Sequence, residues 1–186
     1  HTRRKLEAIG IDRSRIYVKH MAAPVGEPPT FTRENTDGIK VLYLGRLVGF
    51  KGPDQVIRAF ELACERGFAG ELVLAGDGSL RATCELLRAR SPFRDRIRML
   101  GAVDETEGEA LRRQADIFTA HNCKDPVTGQ EEAFGVSLVE AMAAGLPVVT
   151  GRSGGVPEVV EDGHQGLLFE PGDIEGHAEA LLELAR

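Results

Sequence analysis

From residue 39 onward, short β-rich, mostly apolar runs alternate with stretches in which apolar residues recur every three or four positions. The first kind of pattern reads as a strand buried on both faces, the second as a helix with one apolar stripe. Ile39 to Leu44 is such a run, and Gly45 ends it. Pro53 suits a first helical turn, Val56, Ile57, Phe60, Ala63 and Cys64 follow at helical spacing, and Gly67 can stop the helix. Glu71 to Ala75 is the next strand, followed by Gly-Asp-Gly and a helix carrying Leu80, Cys84 and Leu87. Ile97 to Leu100 predicts a third strand. Asp104, with Glu107 three residues on, resembles a capping box opening a helix through Ala115.

Asp116 to Ala120 predicts a fourth strand, and a long loop over 121–133 leads into a helix over 135–144 that Gly145 closes. Pro147 to Thr150 is a strand, Val156 to Val160 a short helix starting at Pro157, Gly166 to Phe169 a last strand and Ile174 to Leu184 a last helix. This alternation predicts an α/β sandwich, a parallel sheet covered by helices on both faces. In such folds ligands lie at the carboxyl ends of the strands. The glycine-rich stretches GRLVGFKG, AGDGS and GRSGG all fall there. Residues 1–38 read as a partial linker, a first strand and, over 22–38, a mobile connector rich in proline and glycine; residues 39–186 read as the folded domain.

Composition narrows the field. A chain of 186 residues, 42% hydrophobic and 28% charged, fits about one globular domain. Its formal net charge of −6 argues against a general nucleic-acid binder but leaves room for a locally basic pocket. No apolar run is long enough to span a membrane, and the first residues lack a signal peptide's apolar stretch. His1 in place of Met suggests a chain that begins mid-protein or after a tag. Cys64, Cys84 and Cys123 are odd in number and widely spaced, so buried thiols and a cytoplasmic location are expected. His20, His121, His164 and His177 share no ligand spacing, so no metal site is expected.

The chemistry-bearing residues lie in two places. Arg46 and Lys51 sit on a glycine-flanked loop between a strand and a helix, where a guanidinium fork and an ammonium can reach one anion. In QEEAFGVSLVEAMAAG, Glu132 precedes a helix and Glu140 lies within it. The amides of Phe134, Gly135, Val136 and Ser137 form the first turn between them, a natural phosphate site at the positive end of the helix dipole. Carboxylates on either side can accept hydrogen bonds from diols. Phosphate in the middle with polyol at each end describes a nucleotide sugar. The alternative readings are plain: a solvated basic loop, an acid favoured by the helix dipole at 132, and an exposed helix residue at 140.

The E-x₇-E pattern in EEAFGVSLVEAMAAGLPVV, together with GRLVGFKG, LAGDGSL, MLGAV and GGVPEVVEDGHQGLLFEPGD in that order, resembles retaining glycosyltransferases of family 4, which have GT-B architecture. The resemblance covers roughly residues 39–173. It implies a Rossmann-like three-layer sandwich with a mostly parallel sheet, one half of a GT-B enzyme, similar to the C-terminal, donor-binding half. By this resemblance Arg46 and Lys51 would contact the donor diphosphate, Glu132 the transferred sugar, and Glu140 the ribose. Phe134, Gly135, Val136 and Ser137 would offer amides; Val103 would lie near the base, with Gly76 and Asp77 bordering the pocket.

The implied reaction is retaining transfer from a nucleoside-diphosphate sugar as co-substrate, with no cofactor and no metal. The acceptor, a sugar, lipid or small molecule, would bind the absent N-terminal domain, and the full-length protein could sit at the inner face of the membrane. His20-Met21-Ala22-Ala23-Pro24 stands where relatives commonly have an Asn-Gly-Val-Asp-like segment, and Ala133 stands where glycine is frequent. The isolated chain is expected to bind without turnover. A nucleotide-binding module lacking transferase activity and a GT-B sugar-nucleotide epimerase are the rival readings. Gly76-Asp77-Gly78-Ser79-Leu80-Arg81 lacks the third glycine of a dinucleotide fingerprint.

Overall fold

The computed structural model describes residues 1–19 and 38–186. The expected mobile connector, apart from Gly38, and the His20 to Pro24 segment lie outside the described residues. Six strands form one sheet: β1 (Ile39–Leu44), β2 (Gly70–Ala75), β3 (Ile97–Gly101), β4 (Ile117–Ala120), β5 (Val148–Gly151) and β6 (Gly166–Phe169). Their spatial order is β3-β2-β1-β4-β5-β6, and every pairing is parallel. The expectation of a mostly parallel sheet is met in full.

β1 is central, paired with β2 from Ile39–Gly70 to Leu44–Ala75 and with β4 at Val41–Ile117. With neighbours on both edges and helices on both faces, Val41, Leu42 and Tyr43 are all buried, so the strand is apolar without alternation. The order reverses between β1 and β4, and a crevice opens at that switch point at the carboxyl ends of the strands.

One helical layer holds α2 (Pro53–Glu65), α3 (Arg81–Arg90) and α6 (Ile174–Leu184); α2 packs on both of the others. Its apolar stripe of Val56, Ile57, Phe60 and Ala63 is wholly buried. The other layer holds α4 (Glu105–Gln114), against β1, and α5 (Val136–Ala143), against β5. The capping box is present: the Glu107 amide donates to Asp104 Oδ1 at 2.8 Å, and the Asp104 amide donates to Glu107 Oε2 at 2.9 Å. Cys64, Cys84 and Cys123 are buried free thiols, as expected.

Two elements differ from the sequence reading. Residues 1–19 contain a helix, α1 (Thr2–Ala8), and a single 3-10 turn, but no strand. α1 buries none of its residues and is tied across the molecule by Lys5 to Glu131, a contact that local pattern does not announce. The expected short helix over 156–160 is one 3-10 turn, Val156–Glu158, with Pro157 in its first turn. No helix among the described residues is long and apolar enough to cross a membrane.

Candidate functional site

Three strand ends and one helix start converge on a cavity of about 610 Å³. Arg46 and Lys51 reach it from the loop after β1, Gly76 and Asp77 from the end of β2, Val103 from the segment after β3, and Glu132, Val136, Ser137 and Glu140 from α5 and its approach. Nine of the eleven expected site residues therefore line one cavity. Phe134 and Gly135 are the other two, and they do not line it.

Their place follows from Glu132. One carboxylate oxygen, Oε1, accepts from the Gly135 amide at 2.9 Å and the Phe134 amide at 3.3 Å. The other, Oε2, accepts from Lys51 Nζ at 2.7 Å. Expecting all four first-turn amides to be available to a ligand thus needs correction. A carboxylate three residues before Gly135 folds back as a cap and takes two of them, while the Val136 and Ser137 amides have no acceptor among the described residues. Gly135 also meets a geometric requirement: its φ is +82°, and a Cβ there would stand 2.8 Å from Leu138 Cδ1.

The Lys51–Glu132 pair is nearly enclosed, with side chains only 14% and 12% exposed. Burial alone would raise the Glu132 pKa; the Lys51 ammonium and the two amides outweigh it and hold the carboxyl below its ordinary value. Glu132 is therefore ionised at neutral pH. Arg46 lies over the Phe50 ring, 5.6 Å from its centre, and its carbonyl accepts from the Tyr43 hydroxyl at 2.6 Å. Arg46 makes no ion pair among the described residues, so its charge is available to an incoming anion. Asp77 is already used: it accepts from the Gly78 amide at 2.7 Å and from Arg81 at 3.0 Å, which lower its pKa and make it a loop-shaping group.

The glycine pair 154–155, read from sequence as a loop former, lies flat against the Glu132 segment. The Gly155 amide donates to the Glu132 carbonyl at 2.7 Å. A Cβ on Gly154, whose φ is +60°, would sit 2.0 Å from that same oxygen. Gly154→Ala should therefore cost about 2–4 kcal/mol from the left-handed backbone and the clash. By calorimetry the unfolding midpoint should fall by roughly 5–15 °C. An unchanged midpoint would mean that the two backbones are not in contact.

Two cavity residues escape a reading by motif. Arg112 on α4 is buried, donating from Nη1 to Glu140 at 3.2 Å and from Nη2 to Glu105 at 2.8 Å. Glu105 and Arg112 are seven positions apart and share a helix face. That spacing was the one available signal. Among the described residues no group of three or more His, Cys, Asp or Glu is placed to hold a metal ion.

The family model described as glycosyl transferases group 1 matches residues 29–186. The chain belongs to this family. Among sequence relatives, an amylovoran biosynthesis glycosyltransferase of Erwinia amylovora is 31% identical over 98% of this group 1 chain and 45% of its own length. A GDP-mannose-dependent α-(1-6)-phosphatidylinositol monomannoside mannosyltransferase of Mycobacterium tuberculosis is 33% identical over 86% of this chain and 39% of its own. Among solved structures, a Staphylococcus aureus TarM mutant in complex with fondaparinux, α-GlcNAc-glycerol and UDP has a TM-score of 0.80 at 20% identity, covering 97% of this chain and 34% of that one. An Anabaena HepE structure in complex with UDP has a TM-score of 0.67 at 26% identity, covering 79% and 39%. The fold is that of one Rossmann-like half of a GT-B glycosyltransferase. The group 1 chain spans less than half the length of these relatives.

Proposed function

We propose that the complete protein transfers a glycosyl unit from a nucleoside-diphosphate sugar to an acceptor with retention of configuration, and that this chain holds the donor. The observation that carries the reading is the enclosed Lys51–Glu132 pair beside the free Val136 and Ser137 amides, with Glu140 further along the same cavity. A diphosphate seated at those amides would meet the Lys51 ammonium and the Arg46 guanidinium. Glu140 then faces the ribose and Glu132 the transferred sugar. Val103 borders the base, and Gly76 lets its loop close on Gly45, whose carbonyl would lie 1.9 Å from a Cβ at 76.

Bond breaking leaves negative charge on the diphosphate and positive charge on the sugar, so fixed cations aimed at the leaving group give the largest service. Arg46 and Lys51 supply that charge without a metal ion. The UDP in the Anabaena structure and the GDP-mannose dependence of the mycobacterial relative support a nucleotide sugar and leave the base open. The acceptor, a sugar, a lipid or another small molecule, is assigned to the rest of the polypeptide. The chain alone then binds donor without turning it over.

A thermal-shift panel of UDP-, GDP- and ADP-sugars tests the reading. One of them at 100 times its Kd should stabilise the chain by about 2.7 kcal/mol. Glu140→Ala should erase most of that shift, and Lys51→Ala should reduce it by a smaller part. Two variants that respond like the parent would place the donor elsewhere.

A further inference from the structure

Arg112 has no part in the reading above, yet it is a nearly buried guanidinium, 8% exposed, on the wall of the same cavity. Its two terminal nitrogens are divided between carboxylates from different helices, Glu140 of α5 and Glu105 of its own α4. The two acids differ in surroundings. Glu105 is 82% exposed, whereas Glu140 is 27% exposed. Between Glu105 and Arg112 on the same helix face stands Gly108, where a Cβ would lie 3.6 Å from Arg112 Nη1 and 3.5 Å from Leu44 Cδ2. Both are ordinary van der Waals contacts, so only a side chain longer than alanine would reach into the guanidinium's path. The α4 face thus lets one arginine cross to α5.

We propose that Arg112 is a positioning residue that sets ribose recognition by holding Glu140; the inference rests on Glu140 being the ribose acid. A free glutamate side chain turns about three bonds and loses that freedom when it grips a ligand. Arg112 removes it beforehand by fixing Oε2, and Oε1 has no protein partner among the described residues. A carboxylate so held presents one oxygen to a diol, and charge-assisted bonds of this kind are the strong ones. Glu105 holds the other arm of the guanidinium and so orients its plane. A lysine at 112 keeps the charge but not the fork.

The test compares the affinity of the full chain for UDP, GDP and ADP with that for their 2′-deoxy and 3′-deoxy forms. The parent should prefer the ribo form of its nucleotide over one deoxy form by roughly 10–100-fold, as expected for a hydrogen bond to a charged group. Arg112→Met should shrink that preference to about threefold or less while changing affinity for the deoxy form little. Arg112→Lys should fall between the two, and it decides the matter if the methionine variant does not fold. A full preference surviving in the variant, or an equal loss for ribo and deoxy forms, would overturn the positioning role. A parent that binds none of the nucleotides, or binds them without ribose preference, would sink the donor reading and this inference with it.

Discussion

Lys51→Ala should lower transfer by the complete polypeptide roughly 10²–10³-fold, with most of the loss in kcat rather than KM. Lys51 is one of the two cations on the loop after β1, and its ammonium is almost shut off from solvent beside Glu132. In such a place a charge is screened weakly and is already oriented before the leaving group develops its own. In the proposed donor complex, a cation held by a carboxylate also meets the diphosphate only by sharing or exchanging that partner. The energy of contact is therefore small in the ground state and largest as the bond breaks. Removing Lys51 has a second consequence, since it leaves the nearly enclosed Glu132 beside two amides with no counter-ion. The double variant Lys51→Ala with Glu132→Gln separates the two effects. Its thermal stability should recover much of what the single variant loses, while transfer stays low. A higher KM at unchanged kcat would show that Lys51 does no more than bind.

Much of this arrangement was legible in the sequence, for identifiable reasons. The strands were visible because a parallel sheet between two helical layers needs apolar residues on both faces, and Val41-Leu42-Tyr43 and Val148-Val149 are such runs. Helix ends were visible where a single residue type does the work: Pro53, the Asp104–Glu107 box, and Gly145 with its φ of +80°. The cavity's location followed from glycine loops at strand ends. What a linear pattern cannot express is which charged groups meet. Lys51 and Glu132 are 81 positions apart and pair only because β1 and β4 are neighbours in the sheet. Arg112 and Arg113 look alike in sequence, yet one is nearly buried against two acids and the other is 70% exposed. α1 carries no apolar stripe, and its docking through Lys5 depends on a distant glutamate.

The second large effect lies beneath the Lys51 turn, where His121 and His177 form a buried chain of hydrogen bonds. The Gly172 amide donates to His121 Nε2 at 2.9 Å, so the proton of the neutral ring sits on Nδ1. That N–H faces His177 Nδ1 at 3.0 Å, which must accept, leaving His177 Nε2–H to donate to Thr119 Oγ1 at 2.7 Å. The Thr119 hydroxyl then donates to the Val149 carbonyl at 3.1 Å. Every group is satisfied only when both rings are neutral. Burial pushes His121 down to about 4, against a weaker upward pull from Asp173; burial, with His121 alongside, holds His177 well below its ordinary value.

In the unfolded chain both rings would titrate near 6.5. Between that pH and the folded values the unfolded state binds more protons, so stability is present above about pH 6.5 and is lost as pH falls. The expected loss is about 1.4 kcal/mol per pH unit for each ring, or about 3 kcal/mol at pH 4 from His121 alone. Calorimetry from pH 7.5 to 4.5 should show it. The double variant His121→Phe with His177→Leu should give a flatter profile below pH 6.5, even if it starts from a lower midpoint. A profile as steep as the parent's would mean that the rings do not titrate on unfolding. The consequence reaches the site through the backbone: the His121 amide donates to the Lys51 carbonyl at 3.2 Å, and a Cβ on Gly52 would lie 2.5 Å from the His121 carbonyl oxygen. Acid that opens the histidine pair should therefore release the turn that aims the Lys51 ammonium, and donor binding should fail together with the fold rather than before it.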